Sequence, residues 1–326
     1  MAVSLISDFK IYEPEFQAGM YEALAENVNL FNQASRGAIL LTANELPGHY
    51  KKEAFFKRIS NLITRQDTTS TADVTPLKLE QSEEVAVKLH LKIGPVDMSL
   101  NAFKEAGLET PGTSFRLGRL ISDAMAKAAA DKAIIAANAA VSGITALIND
   151  VTGSSGKATI TNLMDTQQKW GDQQTKLATW LLHSTPFNDL RKDGLNNYQL
   201  ESVAGVIVAS GQIAPVVGGS IIISDNSNLV NSGITNTYNV IGMAAGAIMV
   251  EMSQAEQIAI KTITGKEQLI VRLQGEYAIT IGVDGFAWDT ANGGSNPDDT
   301  ALGTSSNWDK VFTDDKALPL VKLLCQ

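Results

Sequence analysis

The chain of 326 residues contains one cysteine, three histidines and few charges for its length. Cys325, the penultimate residue, excludes an intrachain disulfide framework, a thiolate zinc site and a CxxC redox pair, so the fold does not depend on an oxidising compartment. His49, His90 and His183 lie far apart, without the HxH, HxxxH or HExxH spacing that places two imidazoles on one metal ion. Charged residues make up 19%, below the usual quarter, while Ala, Gly, Ser, Thr and Asn abound. Such a surface suits contact with other protein. The balance of 26 basic against 35 acidic side chains leaves −9, which argues against holding nucleic acid by global charge but not against enclosing it. A hydrophobic share of 44% excludes a disordered chain, and the length allows a sizeable core.

Targeting signals and membrane spans are also missing. The start, MAVSLISDFKIYEPEF, has neither a basic region nor a long apolar core, and no signal peptide is expected. Val203 to Ile223 carries no charge, but Gln212, Pro215 and the glycines 211, 218 and 219 interrupt it. Its Val and Ile content reads as two buried strands around a Gly/Pro turn, and no membrane contact is expected. Catalytic patterns are equally scarce. No GxSxG elbow occurs, GMAAGA at 242–247 lacks the spacing of a dinucleotide loop, and ITGKEQ has Glu where a phosphate loop needs Ser or Thr. The acidic tail (Asp298, Asp299, Asp309, Asp314, Asp315) lacks the alternating ligands of a calcium loop. Neither catalysis nor a cofactor or metal is expected.

Several segments do carry a pattern. Residues 13–34 read as an amphipathic helix, with Pro14 in its first turn and Phe16, Met20, Leu24, Val28 and Phe31 recurring every three or four positions. That apolar stripe packs either on the chain's own core or on a neighbouring subunit. Residues 49–66 are the main basic segment, with Lys51, Lys52, Lys57, Arg58 and Arg65 around Phe55–Phe56. In VAVKLHLKI, Val85, Val87, Leu89, Leu91 and Ile93 alternate with Ala86, Lys88, His90 and Lys92, which predicts a strand. Residues 50–95 thus resemble a long two-stranded excursion that needs outside support, since an isolated hairpin is marginal in water. No aromatics are interleaved for base stacking, so protein is the favoured contact.

Residues 116–142 hold ten alanines and no proline, with Gly143 as a stop signal. At about 1.5 Å per residue they form a rod of roughly 40 Å. Arg116, Arg119, Asp123, Lys127 and Asp131 make one narrow polar stripe; apart from Lys132 and Asn138 the rest is small or aliphatic and suited to burial. Next come a short helix from Thr159 or Thr161, the strand LATWLLHS, a helix from Thr185–Pro186 to Gly194, and the two strands at 203–223. YNVIGMAAGAIMVEM, EQIAIKTI, EQLIVRLQGEYAITIGV and GFAW follow as successive strands, with a turn at Thr264–Gly265–Lys266. This order is α+β, without the regular βαβ repeat of a doubly wound enzyme.

In this order the pieces resemble the major capsid proteins of tailed double-stranded DNA bacteriophages, the Hong Kong 97-type fold. FNQASRGAILL and GHYKKEAFFKRISNLITRQD look like an N-terminal arm entering an extended E-loop, and the rod from Arg116 is similar to the spine helix. WLLHSTPFNDLRKDGL and VVGGSIIISDN look like axial-domain pieces, and GVDGFAWD with SNPDDTALGTSSNWDKVF resembles a recurrent C-terminal stretch. The resemblance implies an arm at 1–45, an E-loop at 46–95, a peripheral domain with the spine at 96–150, an axial domain at 151–250, and C-terminal strands returning to the peripheral domain at 251–326. It also implies hexamers and pentamers of an icosahedral virion shell, assembled in the host cytoplasm around double-stranded DNA with no sequence-specific grip. A portal protein and a separate scaffolding protein are the implied partners. Contact between subunits is expected at Lys51, Lys52, Lys57, Arg58 and Arg65, and at Phe16, Leu24 and Phe31 of the arm. The rival readings are an encapsulin-type nanocompartment shell and a phage decoration or tail protein.

Overall fold

A computed structural model describes residues 13–57, 63, 65, 66, 68, 69, 73, 74, 76–99, 101, 105, 111–154, 156–193, 198–203, 206–211, 219–265 and 267–326. Along the chain run α1 (Glu13–Ala34), β1 (Ile39–Ala43), β2 (Tyr50–Phe56), β3 (Gln81–Ser99), α2 (Pro111–Ser142), β4 (Ile148–Asp150), α3 (Ile160–Gln167), β5 (Leu177–Leu182) and α4 (Ser184–Lys192). The second half holds β6 (Tyr198–Val203), β7 (Val206–Gly211), β8 (Ser220–Ile223), β9 (Val230–Asn231), β10 (Thr237–Ala244), β11 (Ile248–Ile263), β12 (Ile270–Val283), β13 (Phe286–Trp288), α5 (Asp299–Leu302), β14 (Trp308–Lys310) and β15 (Leu320–Cys325).

Two sheets share these strands, as expected of an α+β chain. The first runs β1-β11-β12-β3-β13-β14, with β2 added on β3; the second runs β4-β15-β10-β5-β8-β7-β6, with β9 on β10. The helix α2 joins them. It begins at Pro111 rather than near Arg116, because proline fits the first helical turn, where its missing N–H is not needed. Its alanines 126, 129, 130, 133, 136, 137, 139 and 140 are buried against strands of both sheets. At about 1.5 Å per residue its 32 residues span roughly 48 Å. The small side chains let helix and sheet backbones approach. The polar stripe serves as an attachment line: Arg119 pairs with Glu26 of α1 at 3.3 Å, Asp123 accepts from Asn27, and Asp131 accepts from Asn226.

Packing resolves the two options for α1. It lies on α2 of its own chain, where Phe16 and Phe31 are 1% and 2% exposed and Leu24 is half-buried. The expected use of Phe16 and Phe31 as contacts with a neighbour is therefore corrected, because both belong to the chain's own core. The approach is close enough to need glycine on both helices. A Cβ on Gly118 would lie 2.2 Å from the Phe16 carbonyl oxygen, and one on Gly19 would lie 2.5 Å from that of Phe115.

Three other expectations change. The excursion at 50–95 finds support within its own chain, since β3 pairs with β12 from Val87 to Ser99 and with β2 from Gln81 to Val87. IMVEM and EQIAIKTI form one strand, β11, whose register shifts between Met252 and Gln257 absorb the break in alternation. Lys88 sits on the polar side of β3 as expected but is 6% exposed, because its Nζ donates to the Leu46 carbonyl of the covering 44–49 loop. The Gly/Pro turn at 212–218, Lys266 and Arg58 lie outside the described residues. No helix among the described residues is long and apolar enough to cross a membrane.

A buried lysine ties the second sheet to α2. Lys322 on β15 donates to Asn138 Oδ1 at 3.0 Å and Ser142 Oγ at 2.9 Å. Burial pushes its ammonium down to about 8. His183 closes β5 by capping α4: its Nδ1 accepts from the Thr185 N–H, so Nε2 carries the proton and faces Asp225 at 3.4 Å.

Candidate assembly surface

The root of the excursion is a strand pair in exact alternation. Lys51, Glu53 and Phe55 point to one face of β2, opposite Ala86, Glu84 and Ser82 of β3. The Ala86 row continues through Gly282 of β12 and Met249 of β11 to Leu40 of β1. Ala86 and Gly282 leave a gap of about 210 Å³ in that row. A Cβ on Gly282 would stand 3.0 Å from that of Ala86. Lys51 extends across the gap and meets Glu251 of β11 at 2.8 Å and Glu53 at 2.9 Å. Burial works against its charge, and the two carboxylates outweigh burial, so its pKa lies above the ordinary lysine value.

A second row crosses the same cavity and is acidic. Glu53 faces Glu84, and Asp284 follows in the turn after β12. Burial raises the Glu84 carboxyl, helped by the charges of Asp284 and Glu53 and opposed by the Gly285 N–H at 3.1 Å. Burial likewise raises Asp284, against the pull of Lys176. Lys176 itself is pushed by burial down to about 8; it lies 4.8 Å over the Trp170 ring and donates to the Leu318 carbonyl. Ionising either carboxyl therefore costs more here than in water, and both titrate above the ordinary carboxylate value.

The remaining basic residues also meet carboxylates of their own chain. Lys52 pairs with Glu83 at 3.0 Å and Lys57 with Glu80 at 4.0 Å, both exposed and each worth little. Arg65 is exposed. The segment's apolar residues, which the charge-based reading overlooked, are more telling. Ile63 is 93% exposed, Val74 89%, and Phe56, Leu77 and Leu79 more than half. The alternation in VTPLKLE was the available signal, since Leu77 and Leu79 repeat like a strand face and both are more than half exposed. Among the described residues no three of His, Cys, Asp and Glu are grouped to hold a metal ion.

A profile for the Gp13-like family, described as major capsid protein 13-like, matches residues 8–321. The fold is similar to that of the capsid of Ralstonia phage GP4, with TM-score 0.52 at 10% identity over 88% of this chain and 87% of that one. A subunit of Microbacterium phage Oxtober96 gives 0.51 at 10% identity over 89% and 90%, and the Cyanophage Pam1 capsid asymmetric unit gives 0.50 at 9% over 88% of each. A comparison with curated protein sequences gave no match. Because the profile spans nearly the whole chain, the chain belongs to the Gp13-like family of major capsid proteins, the structural proteins of the virion's capsid shell.

Proposed function

We propose that copies of this chain join as hexamers and pentamers into an icosahedral shell that encloses double-stranded DNA, with segment 57–80 of each copy lying on the next. The observation that carries this is the exposure of Ile63, Val74, Leu77 and Leu79, four apolar side chains that are each more than half exposed. Exposed apolar surface of that kind marks an interaction site. In a shell protein the partner available in greatest number is a second copy, and closure requires the same patch to be reused around each symmetry axis. Arg58 and Arg65 belong to the same contact in this proposal, whereas Lys51, Lys52 and Lys57 organise its root. The net charge of −9 suits a wall that contains DNA without gripping it by sequence. A portal protein and a separate scaffolding protein are further proposed partners, and the protein's role is structural.

The domain division proposed with it follows the two sheets. The first sheet with α1 and α2 forms a peripheral domain that carries the arm and the E-loop, and the second sheet forms the axial domain. Deleting residues 64–76 tests the shared contact. The shortened chain should remain soluble and keep its melting temperature within about 2 °C, because none of the described residues it loses is buried. Its yield of closed particles, counted by electron microscopy after sedimentation, should fall at least about tenfold, the effect of removing one modest contact repeated throughout a shell. Normal particles from the shortened chain would remove the segment from the contact.

A further inference from the structure

Among the described strands, β2 pairs with β3 alone, so the direction in which the excursion leaves the body is not set by a sheet on both sides. Two side chains on one face of β2 reach past that ladder. Lys51 crosses the Ala86–Gly282 gap to Glu251, which is 5% exposed on β11. Phe55 meets Phe312 of the C-terminal loop edge to face, with ring centroids 5.5 Å apart. Phe312 is itself seated against Gly285, where a Cβ would come within 2.8 Å of its ring. Between these two anchors lies Glu53, directly opposite Glu84 and beside the same cavity as Asp284. Lys51 also meets Glu53 at 2.9 Å, and the ladder stays paired from Tyr50 to Phe56 through the Glu53–Glu84 step, with an anchor on each side of it.

We propose that Lys51 and Phe55 are positioning residues, which hold β2 on the body and so set where the exposed Phe56, Leu77 and Leu79 beside it meet a neighbouring copy. Glu251 is the fixed end of the Lys51 strut. One of its oxygens accepts from Lys51, and the other, Oε2, is buried with no hydrogen-bond partner among the described residues, so Lys51 supplies its neutralising charge. Small residues lie beneath the strut: a Cβ on Gly282 would already stand 3.0 Å from that of Ala86, so a larger side chain there would fill the gap that Lys51 lines. This inference rests on the proposal that segment 57–80 contacts a second copy.

The test uses the full chain. Replacing Lys51 alone would leave Glu251 as a bare buried charge and endanger folding, so the main variant combines Lys51→Met with Glu251→Leu; buried ion pairs often tolerate apolar replacement of both partners. Phe55→Ala is the second variant and Lys51→Arg the conservative control. Amide exchange read by mass spectrometry should accelerate at least about tenfold across residues 50–56 and stay unchanged in α2 and β12, a local opening rather than global unfolding. Closed-particle yield should fall about tenfold in both variants and stay within about twofold of native in Lys51→Arg, whose guanidinium can keep the pair. Native yield from the double variant would overturn the proposal, as would lost yield with unchanged exchange at 50–56, or faster exchange throughout α2. The chain lacking residues 64–76 is run beside them. If it fails to assemble while the double variant succeeds, only the positioning role is lost; if it assembles normally, the contact proposed for the segment is lost instead.

Discussion

Gly118→Leu should destabilise the chain by about 3 kcal/mol or more. The reason is the crossing of α1 and α2. A Cβ at position 118 meets three backbone atoms of α1: the Phe16 oxygen at 2.2 Å, the Met20 nitrogen at 3.0 Å and the Phe16 carbon at 3.2 Å. None of these can move by changing a rotamer, so the whole of α1 must shift. Moving it also draws Phe16 and Met20 out of the cluster they form with Leu273, and each such side chain is worth about 1.5–3 kcal/mol when fully buried. Gly118→Ala already places the offending Cβ and should cost more than half as much. Gly143→Ala provides the contrast, because its Cβ would meet the Ala140 carbonyl oxygen at 3.6 Å and that of Ser305 at 3.8 Å, ordinary contact distances. Thermal unfolding followed by circular dichroism should show Gly118→Leu melting lower by about 6–12 °C and Gly143→Ala by under about 3 °C. Equal melting of the Gly118→Leu and native chains would mean that α1 does not lie on α2.

Trp170→Ala should cost about 3–5 kcal/mol, the range for deleting a large aromatic from a packed interior. Trp170 is fully buried, and its Nε1 donates to the Leu318 carbonyl at 2.9 Å just before β15. The residue therefore holds the entry of the C-terminal strand into the second sheet. Trp170→Phe separates packing from hydrogen bonding. Lys176 Nζ also donates to that carbonyl, at 2.7 Å, so the acceptor stays satisfied and the cost should be nearer about 1 kcal/mol. Urea unfolding of the two variants measures the difference. A Trp170→Ala chain as stable as Trp170→Phe would place the indole outside the core.

How far the sequence foretold this depends on which force decides each element. Periodicity and capping decide the local ones: the stripe Phe16–Met20–Leu24–Val28–Phe31 marks α1, and Thr159 begins α3 by accepting from the Asn162 N–H. The alanine rod was equally legible, although its start was not, because residues before Arg116 show no stripe and only Pro111 marks the boundary. What α1 packs on was not legible, since Phe16 and Phe31 suit a neighbour as well as a core. That choice is made by Gly19 and Gly118, 99 positions apart, which carry no periodic signal of their own. The strut was hidden for the same reason. Lys51 looks like one more basic residue until strand register carries it over Ala86 and Gly282 to Glu251, 200 positions away. Charge marks residues 51–65, whereas Ile63, Val74, Leu77 and Leu79 stand out only through their exposure in the folded chain.

The central claim is that this chain builds a closed shell from copies of itself. Electron microscopy of the purified full-length protein, concentrated without other virion proteins and again with a scaffolding protein from the same source, tests it most directly. Closed, hollow particles of uniform diameter with fivefold and sixfold capsomers in at least one of the two preparations are the expected result. A chain that stays monomeric in both and attaches only to preformed capsids would contradict the account and make it a decoration protein.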